Sequence, residues 1–414
     1  MDFNDTPQEA QYRARVRAFL EAQAERKTER NALLRGRYGG ADLLQRAKAW
    51  QLMKAQAGFA GITWPAQWGG QGGTPMQQVI YNQEEGQLAV PRGVFEIGLG
   101  MCIPTMMAYA TPEQLQRYVG PALRGEEVWC QMFSEPAAGS DLAGLRTRAE
   151  RAGGDWILNG QKIWTSGAHF SDFGIIVTRS DPGARKHDGL TFFFLSMKTP
   201  GIEVRPIRQI SGASHFNEVF FTDVRVPDAQ RLGEVGAGWK VSLTTLMNER
   251  LAVGDAPGPD IEDLLALVRT LTVGQEPALG NAAVREHLAE WYVQAQGLKY
   301  TRFRTITALS RGQTPGPEAS IAKVVSASKL QQIAFYALDL LGMAGVIMEA
   351  ELAPVQAWFQ EALLYAPGSR IAGGTDEILR NIIAERVLGL PADIRVDKDL
   401  PFNELPGGKA GARG

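Results

Sequence analysis

Cysteine and histidine are scarce in this chain. Two cysteines, Cys102 and Cys130, form no CxxC pair and no Cys/His ligand spacing, which excludes a disulfide scaffold and a structural zinc site and favours a reducing compartment. The four histidines, His169, His187, His215 and His287, are too scattered to suggest a metal cluster. Lys and Arg number 43 against 45 Asp and Glu, so there is no basic field of the kind a dedicated nucleic-acid binder uses. No apolar run is long enough for a signal peptide or a membrane span, and the expected compartment is the cytoplasm. There is no Walker A, HExxH or GxSxG motif, and GEVGAGWK at 233–240 lacks the third glycine of a dinucleotide fingerprint.

What is present is organised in three blocks. From Thr6 to about Ala110 apolar residues such as Tyr12, Val16, Phe19 and Leu20 recur at helical spacing, interrupted by the structured loop WPAQWGGQGGTP. From about Glu127 to Pro227 the runs DWILNG, FGIIVTRS, LTFFFLSM, GIEVRPI and NEVFFTDVRVP are rich in β-branched and aromatic residues. Their short spacing leaves no room for crossover helices and predicts antiparallel strands in a barrel or sandwich. Helical periodicity returns near 238–253, 279–311, 317–341, 346–364 and 375–388, with GDAPGPD, GQTPGP and APGSR as breakers. The fold class is therefore α+β: an N-terminal helical domain (1–126), a middle antiparallel β domain (127–230), a C-terminal helical bundle (231–395) and a Gly/Pro-rich tail (396–414) expected to be mobile.

Two segments carry chemistry. QMFSEPAAGSD, residues 131–141, ends a strand in a turn holding Ser134, Ser140 and Asp141, where exposed backbone N–H groups and hydroxyls suit the polar edge of a planar cofactor or a phosphate. LNGQKIWTSGAH ends another strand with Trp164, Thr165 and Ser166, an indole to cover an aromatic ring and hydroxyls to bond its heteroatoms. An ordinary loop and a sheet-core tryptophan are the bland readings of each alone.

SEPAAGSD, then WILNGQKIWTSGA, then GGTDEILRNIIAERVLG, in a helix–β–helix chain of this length, resemble the acyl-CoA dehydrogenase flavoproteins from about Phe3 to Pro391. The resemblance implies a C-terminal four-helix bundle, FAD as cofactor, and α,β-desaturation of an acyl-CoA thioester with the β-hydride passing to flavin N5. It also implies an electron-transferring flavoprotein as acceptor. By position, Gln131, Phe133, Ser134, Trp164 and Ser166 would line the isoalloxazine, and Ser140 would serve both flavin and CoA. Thr375 and Glu377 would lie near the adenosine half, and the Gly373 N–H would meet the thioester oxygen.

Many members carry the catalytic Glu immediately before the GT of the C-terminal motif, where this chain has Gly373 in RIAGGTDE. A second branch, similar to long-chain and isovaleryl-CoA dehydrogenases, places it on the helix after the β domain. The matching stretch WKVSLTTLMNERLAVG makes Glu249 the candidate base, with Arg250 at the substrate end. A base for a poorly acidic α-proton needs its pKa raised by burial. Asp376, Glu377 and Glu385 do not occupy the base position. Ala372, where a bulky Tyr often closes the pocket, points to a branched, cyclic or steroid-derived acyl group. The chain lacks the family's R-x-x-F-G run, and DLLGMAGV puts Asp339 and Met343 where a Gln and a Gly contact the neighbouring subunit's FAD. Losing a cation there leaves both a homotetramer and an α2β2 heterotetramer open, and two other roles: a non-catalytic or partner-dependent subunit, or a flavin oxidase or monooxygenase on the same fold.

Overall fold

The computed structural model describes residues 5–26, 41–91, 93–252, 258–311, 316–317, 319–392, 394 and 399–405, without the side chains of 41, 249–252, 309–310 and 319. Its chain folds into two compact units. One gathers described residues from Met1–Arg37, Thr74–Ala89 and Val253–Ala392; the other gathers those from Tyr38–Gly73, Val90–Ala252 and Asp393–Gly414.

The second unit is built on an eight-stranded sheet. Strands β1 (Trp129–Met132), β2 (Arg148–Ala152), β3 (Asp155–Ser166), β4 (Phe173–Arg179), β5 (Leu190–Ser196), β6 (Ile202–Pro206), β7 (Phe216–Pro227) and β8 (Arg231–Leu232) run in the order β6-β7-β3-β2-β4-β5-β8, with β1 also paired to β4. All five runs picked out above are strands. Most ladders are antiparallel, but β1 lies parallel to β4, Trp129 opposite Phe173, and β2 touches β4 in parallel at Arg148 and Arg179. The purely antiparallel expectation is corrected here. Short spacing constrains only strands joined by a hairpin, whereas β1 reaches its partner through β2, β3 and their loops.

β4 and β5 are buried on both faces, which is why they read as continuous apolar runs. One face packs on Cys102, Ile103, Met106, Leu115 and Val119 from the helical segments Gly98–Tyr109 and Pro112–Leu123, and on Val241 of the helix Gly238–Ala252. The other covers Trp156, Leu158, Val219 and Phe221. The WPAQWGG loop is ordered, with Trp64 and Trp68 packed on the first cluster.

The first unit is helical. Pro7–Gln23 buries Val16 and Leu20, and its Arg13 and Arg17 reach Glu84 of Pro75–Glu85 at 2.8 and 2.7 Å. Pro75–Glu85 also contacts Ala282–Ser310, which packs with Ile261–Val268 and Ala319–Leu341 around Leu264, Trp291, Ile333 and Phe359. No helix among the described residues is long and apolar enough to cross a membrane.

Two expectations about helices fail at particular residues. The helix expected from 346 starts only at Trp358, because Val355, Gln356 and Ala357 take left-handed φ values of 51°, 52° and 61°. It then continues to Ile371 through Pro367, inside the APGSR expected to end it. The hydrogen bond lost at Pro367 is offset by packing: Ala362 and Ala366 are buried against Leu330 and Ala334 of Ala319–Leu341. The tail is also ordered in part, since Phe402 and Leu405 are buried in the sheet unit.

The helix Gly238–Ala252 sits so close to the sheet that a Cβ at Gly238 would lie 2.6 Å from the Leu190 carbonyl carbon. Backbone cannot yield as a flexible side chain can. Gly238→Ala is expected to destabilise the sheet unit by about 1–3 kcal/mol, read as a lowered denaturation midpoint.

Candidate functional site

The strand ends that carry the two motifs lie together. β1 delivers Gln131, half-buried, and then Phe133, whose buried ring meets Phe192 edge-on at 5.7 Å. The chain next bends through half-buried Ser134, and the Ser134 carbonyl accepts the Ile163 N–H of β3 at 2.9 Å. That bond sets Ser134 beside Trp164.

Trp164 owes its orientation to a bulge. Lys162 pairs with Val219 and Thr165 with Asn217, so β3 holds one residue more than β7 over this stretch. The extra residue reverses the side-chain alternation. Trp156, Leu158 and Lys162 point inward in one phase, Thr165 is buried in the other, and Trp164 is left 55% exposed with φ 58°. A left-handed φ on a bulky residue is strained. The indole rests edge-on against Phe216 at 5.9 Å, and Asn217 holds the bulge by donating to the Thr165 carbonyl at 2.8 Å. Ser166 ends the strand, half-buried. His169 bonds Asn217 at 3.1 Å and serves the same support.

Sequence reasoning missed what lies beneath. Lys162 is fully buried, and its Nζ donates to the Phe133 carbonyl at 3.0 Å and to Glu135 Oε1 at 2.8 Å. Glu135, also buried, accepts the Thr147 N–H at 2.9 Å and the Arg146 N–H at 2.6 Å. Burial alone would raise the Glu135 pKa, but Lys162 and these donors outweigh it and hold the carboxyl below its usual range. For Lys162 burial wins and the pKa falls, although Glu135 opposes the shift. A lysine in the apolar phase of DWILNGQK was the signal that could have found this pair.

Ser140 and Asp141 lie exposed on the following turn, with Asp141 bound to Lys186 at 2.7 Å. An outward indole, two half-buried serines and strand-end backbone groups suit a planar heteroaromatic cofactor such as a flavin.

The helix Gly238–Ala252 is anchored by hydroxyl pairs, Thr105 with Thr245 and Tyr109 with Thr244, each at 2.9 Å. Its face of Val241, Ser242 and Thr245 is buried. Position 249 is one turn beyond Thr245 in the same helix, and the side chains of Glu249 and Arg250 lie outside the described residues.

In the helical unit, Gly373 and Gly374 have φ values of 66° and 95°, a conformation in which a Glu would be strained. Exposed Gly373 follows exposed Ala372. Thr375 caps the helix Asp376–Ile382 by accepting the Ile378 N–H at 3.2 Å, and Glu377 is exposed in its first turn. Lys323 donates to the Gly374 carbonyl at 2.6 Å, and Arg370 grips buried Asp376 at 2.7 Å. Asp376 is thus occupied structurally. Asp339 and Met343 are exposed.

Comparisons with known proteins follow the same outline. Residues 6–126, 130–224 and 236–388 match the family models described as acyl-CoA dehydrogenase N-terminal, middle and C-terminal domains. The chain is 41% identical over 345 residues to acyl-CoA dehydrogenase FadE34 of Mycobacterium tuberculosis, covering 82% of this chain and 46% of that one, so it spans about half of that relative's length. To acyl-CoA dehydrogenase IpdE1 of the same organism it is 34% identical, covering 93% of this chain and 98% of that one. A solved structure named Tcur3481-Tcur3483 steroid ACAD superposes with a TM-score of 0.79 at 26% identity, over 95% of this chain and all of that one. The ChsE4-ChsE5 complex from Mycobacterium tuberculosis superposes at 0.75 with 26% identity, over 95% of this chain and all of that one.

Lys162→Met, which strands the Glu135 carboxylate in the interior, is expected to cost about 3–5 kcal/mol in denaturation. Glu135→Gln/Lys162→Met should recover most of that loss. Because the folded pKa of Glu135 lies below its unfolded one, the pair's contribution is present above the usual carboxylate range and fades as pH falls through it. Wild type should therefore lose stability in acid more steeply than the double variant.

Proposed function

The chain belongs to the acyl-CoA dehydrogenase family, whose members bind FAD, and from that membership we propose that it desaturates an acyl-CoA thioester between Cα and Cβ. Glu249 takes the α-proton while the β-hydrogen leaves as hydride and the C=C bond forms. FAD, when bound, supplies the two-electron acceptor for that hydride. Gln131, Phe133, Ser134, Trp164 and Ser166 would hold its ring, Ser140 would serve both the flavin and the CoA half of the substrate, and Thr375 and Glu377 would lie near the adenosine half. The Gly373 N–H would donate to the thioester oxygen, where a hydrogen bond strengthens as enolate character develops. Arg250 would bind at the substrate end.

The observation that carries this reading is Trp164, an indole held outward by a bulge beside Ser134 and Ser166. Gly373 favours Glu249 as base, since the alternative position has no side chain to take a proton. Ala372 leaves room for a bulky acyl group, and a steroid-derived acyl-CoA is the favoured class because one structural relative is named a steroid enzyme. That relative and the ChsE4-ChsE5 complex are each named for two chains, which supports an α2β2 assembly over the homotetramer. Electrons would pass to an electron-transferring flavoprotein in the cytoplasm.

The test is anaerobic titration with linear, branched and steroid acyl-CoAs, following flavin absorbance at about 450 nm. Wild type should bleach with the steroid class, and Glu249→Gln should keep its FAD yet reduce it at least about a hundredfold more slowly. Best turnover on butyryl- or octanoyl-CoA would overturn the substrate class. Undiminished bleaching in the variant would overturn the base, and a chain that holds flavin only with a second subunit would shift the role to a partner-dependent one.

A further inference from the structure

The tail segment Asp399–Leu405 packs against the loop 180–188 between β4 and β5. The Phe402 N–H donates to the Ala184 carbonyl at 2.9 Å, the Asn403 N–H to the Pro182 carbonyl at 3.0 Å, and Pro401 bridges to Arg185. The Phe402 ring is buried beneath the Arg179 guanidinium, 3.8 Å from its centroid. Arg179 is itself buried, and burial lowers its pKa to about 10. A poorly hydrated guanidinium gains from an aromatic face. Its two terminal nitrogens donate to the carbonyls of Lys186, at 2.8 Å, and Ala143, so one side chain ties the loop to the turn after Asp141. Lys186 then reaches Asp141 at 2.7 Å, next to Ser140. His187 of the same loop packs edge-on against Trp239 at 4.7 Å.

We propose that the C-terminal segment Pro401–Leu405 is a clasp that positions the Ser140–Asp141 turn for the CoA half of the substrate, through Phe402, Arg179 and Lys186. The clasp rests on the reading of Ser140 as a substrate contact. Its removal leaves the turn intact but unheld, so binding of CoA weakens while the chemical step does not. The helix carrying Glu249 keeps its own anchors at Thr105 and Tyr109.

The experiment compares wild type, Phe402→Ala, Phe402→Tyr and Lys186→Met as flavin-loaded protein. It measures FAD content, thermal midpoint, Kd for free CoA by calorimetry, and KM and kcat for the best acyl-CoA. Phe402→Ala and Lys186→Met should raise Kd and KM about tenfold, with kcat within about twofold and FAD content unchanged, while Phe402→Tyr behaves as wild type. A folded Phe402→Ala with wild-type Kd overturns the clasp, and so does one whose FAD content and kcat fall together with affinity. If Phe402→Ala does not fold, Lys186→Met decides: wild-type Kd overturns the proposal, a tenfold rise supports it. A wild-type protein that binds no CoA and bleaches with no acyl-CoA instead overturns the dehydrogenase reading, and the clasp falls with it.

Discussion

One buried ion pair joins the strand segments that carry Phe133, Ser134 and Trp164. Lys162 and Glu135 tie the exit of β1 to the middle of β3 and to the start of β2, by way of the Phe133 carbonyl and the Arg146 and Thr147 amides. Taking both charges out of water costs several kcal/mol each, so the pair adds little net stability for its burial. What the ion pair supplies instead is register. If β1 slipped by one residue, Lys162 would lose the Phe133 carbonyl and both charges would face apolar neighbours. The side chains proposed to face the flavin are carried on the two segments fixed in this way, which gives a reacting ring walls that do not shift.

Much of this was legible in the sequence, and the gaps have physical reasons. Strand identity could be read because β4 and β5, buried on both faces, leave no polar alternation to confuse the signal. That the segments of Ser134 and Trp164 adjoin came from the resemblance, since strand ends alone do not say which of them meet. The parallel pairing of β1 could not be read, because direction is set by a partner distant in sequence. The run through Pro367 depends on alanines packing closely on a neighbouring helix, a tertiary gain that local propensity does not contain. The docked tail escaped for a like reason: one aromatic, Phe402, finds a buried guanidinium that composition cannot foresee.

The C-terminal motif shows how a backbone choice can exclude a chemistry. Two successive glycines with left-handed φ shape the turn before Thr375, and Lys323 and Arg370 hold it on either side. A carboxylate at 373 would meet strain from the main chain before it met any substrate. The base proposed above, Glu249, would avoid that conflict, since it stands on a helix anchored by threonine hydroxyls.

The parallel contact of β1 with β4 also bears on the order of assembly. The β2–β3 and β4–β5 pairs close over short connections, whereas Trp129 meets Phe173 only after the whole intervening chain has been laid down. Loop-closure entropy makes such a pairing late. Gln131 and Phe133 therefore join the sheet later than the hairpin strands do, as the still longer-range β3–β7 ladder also must.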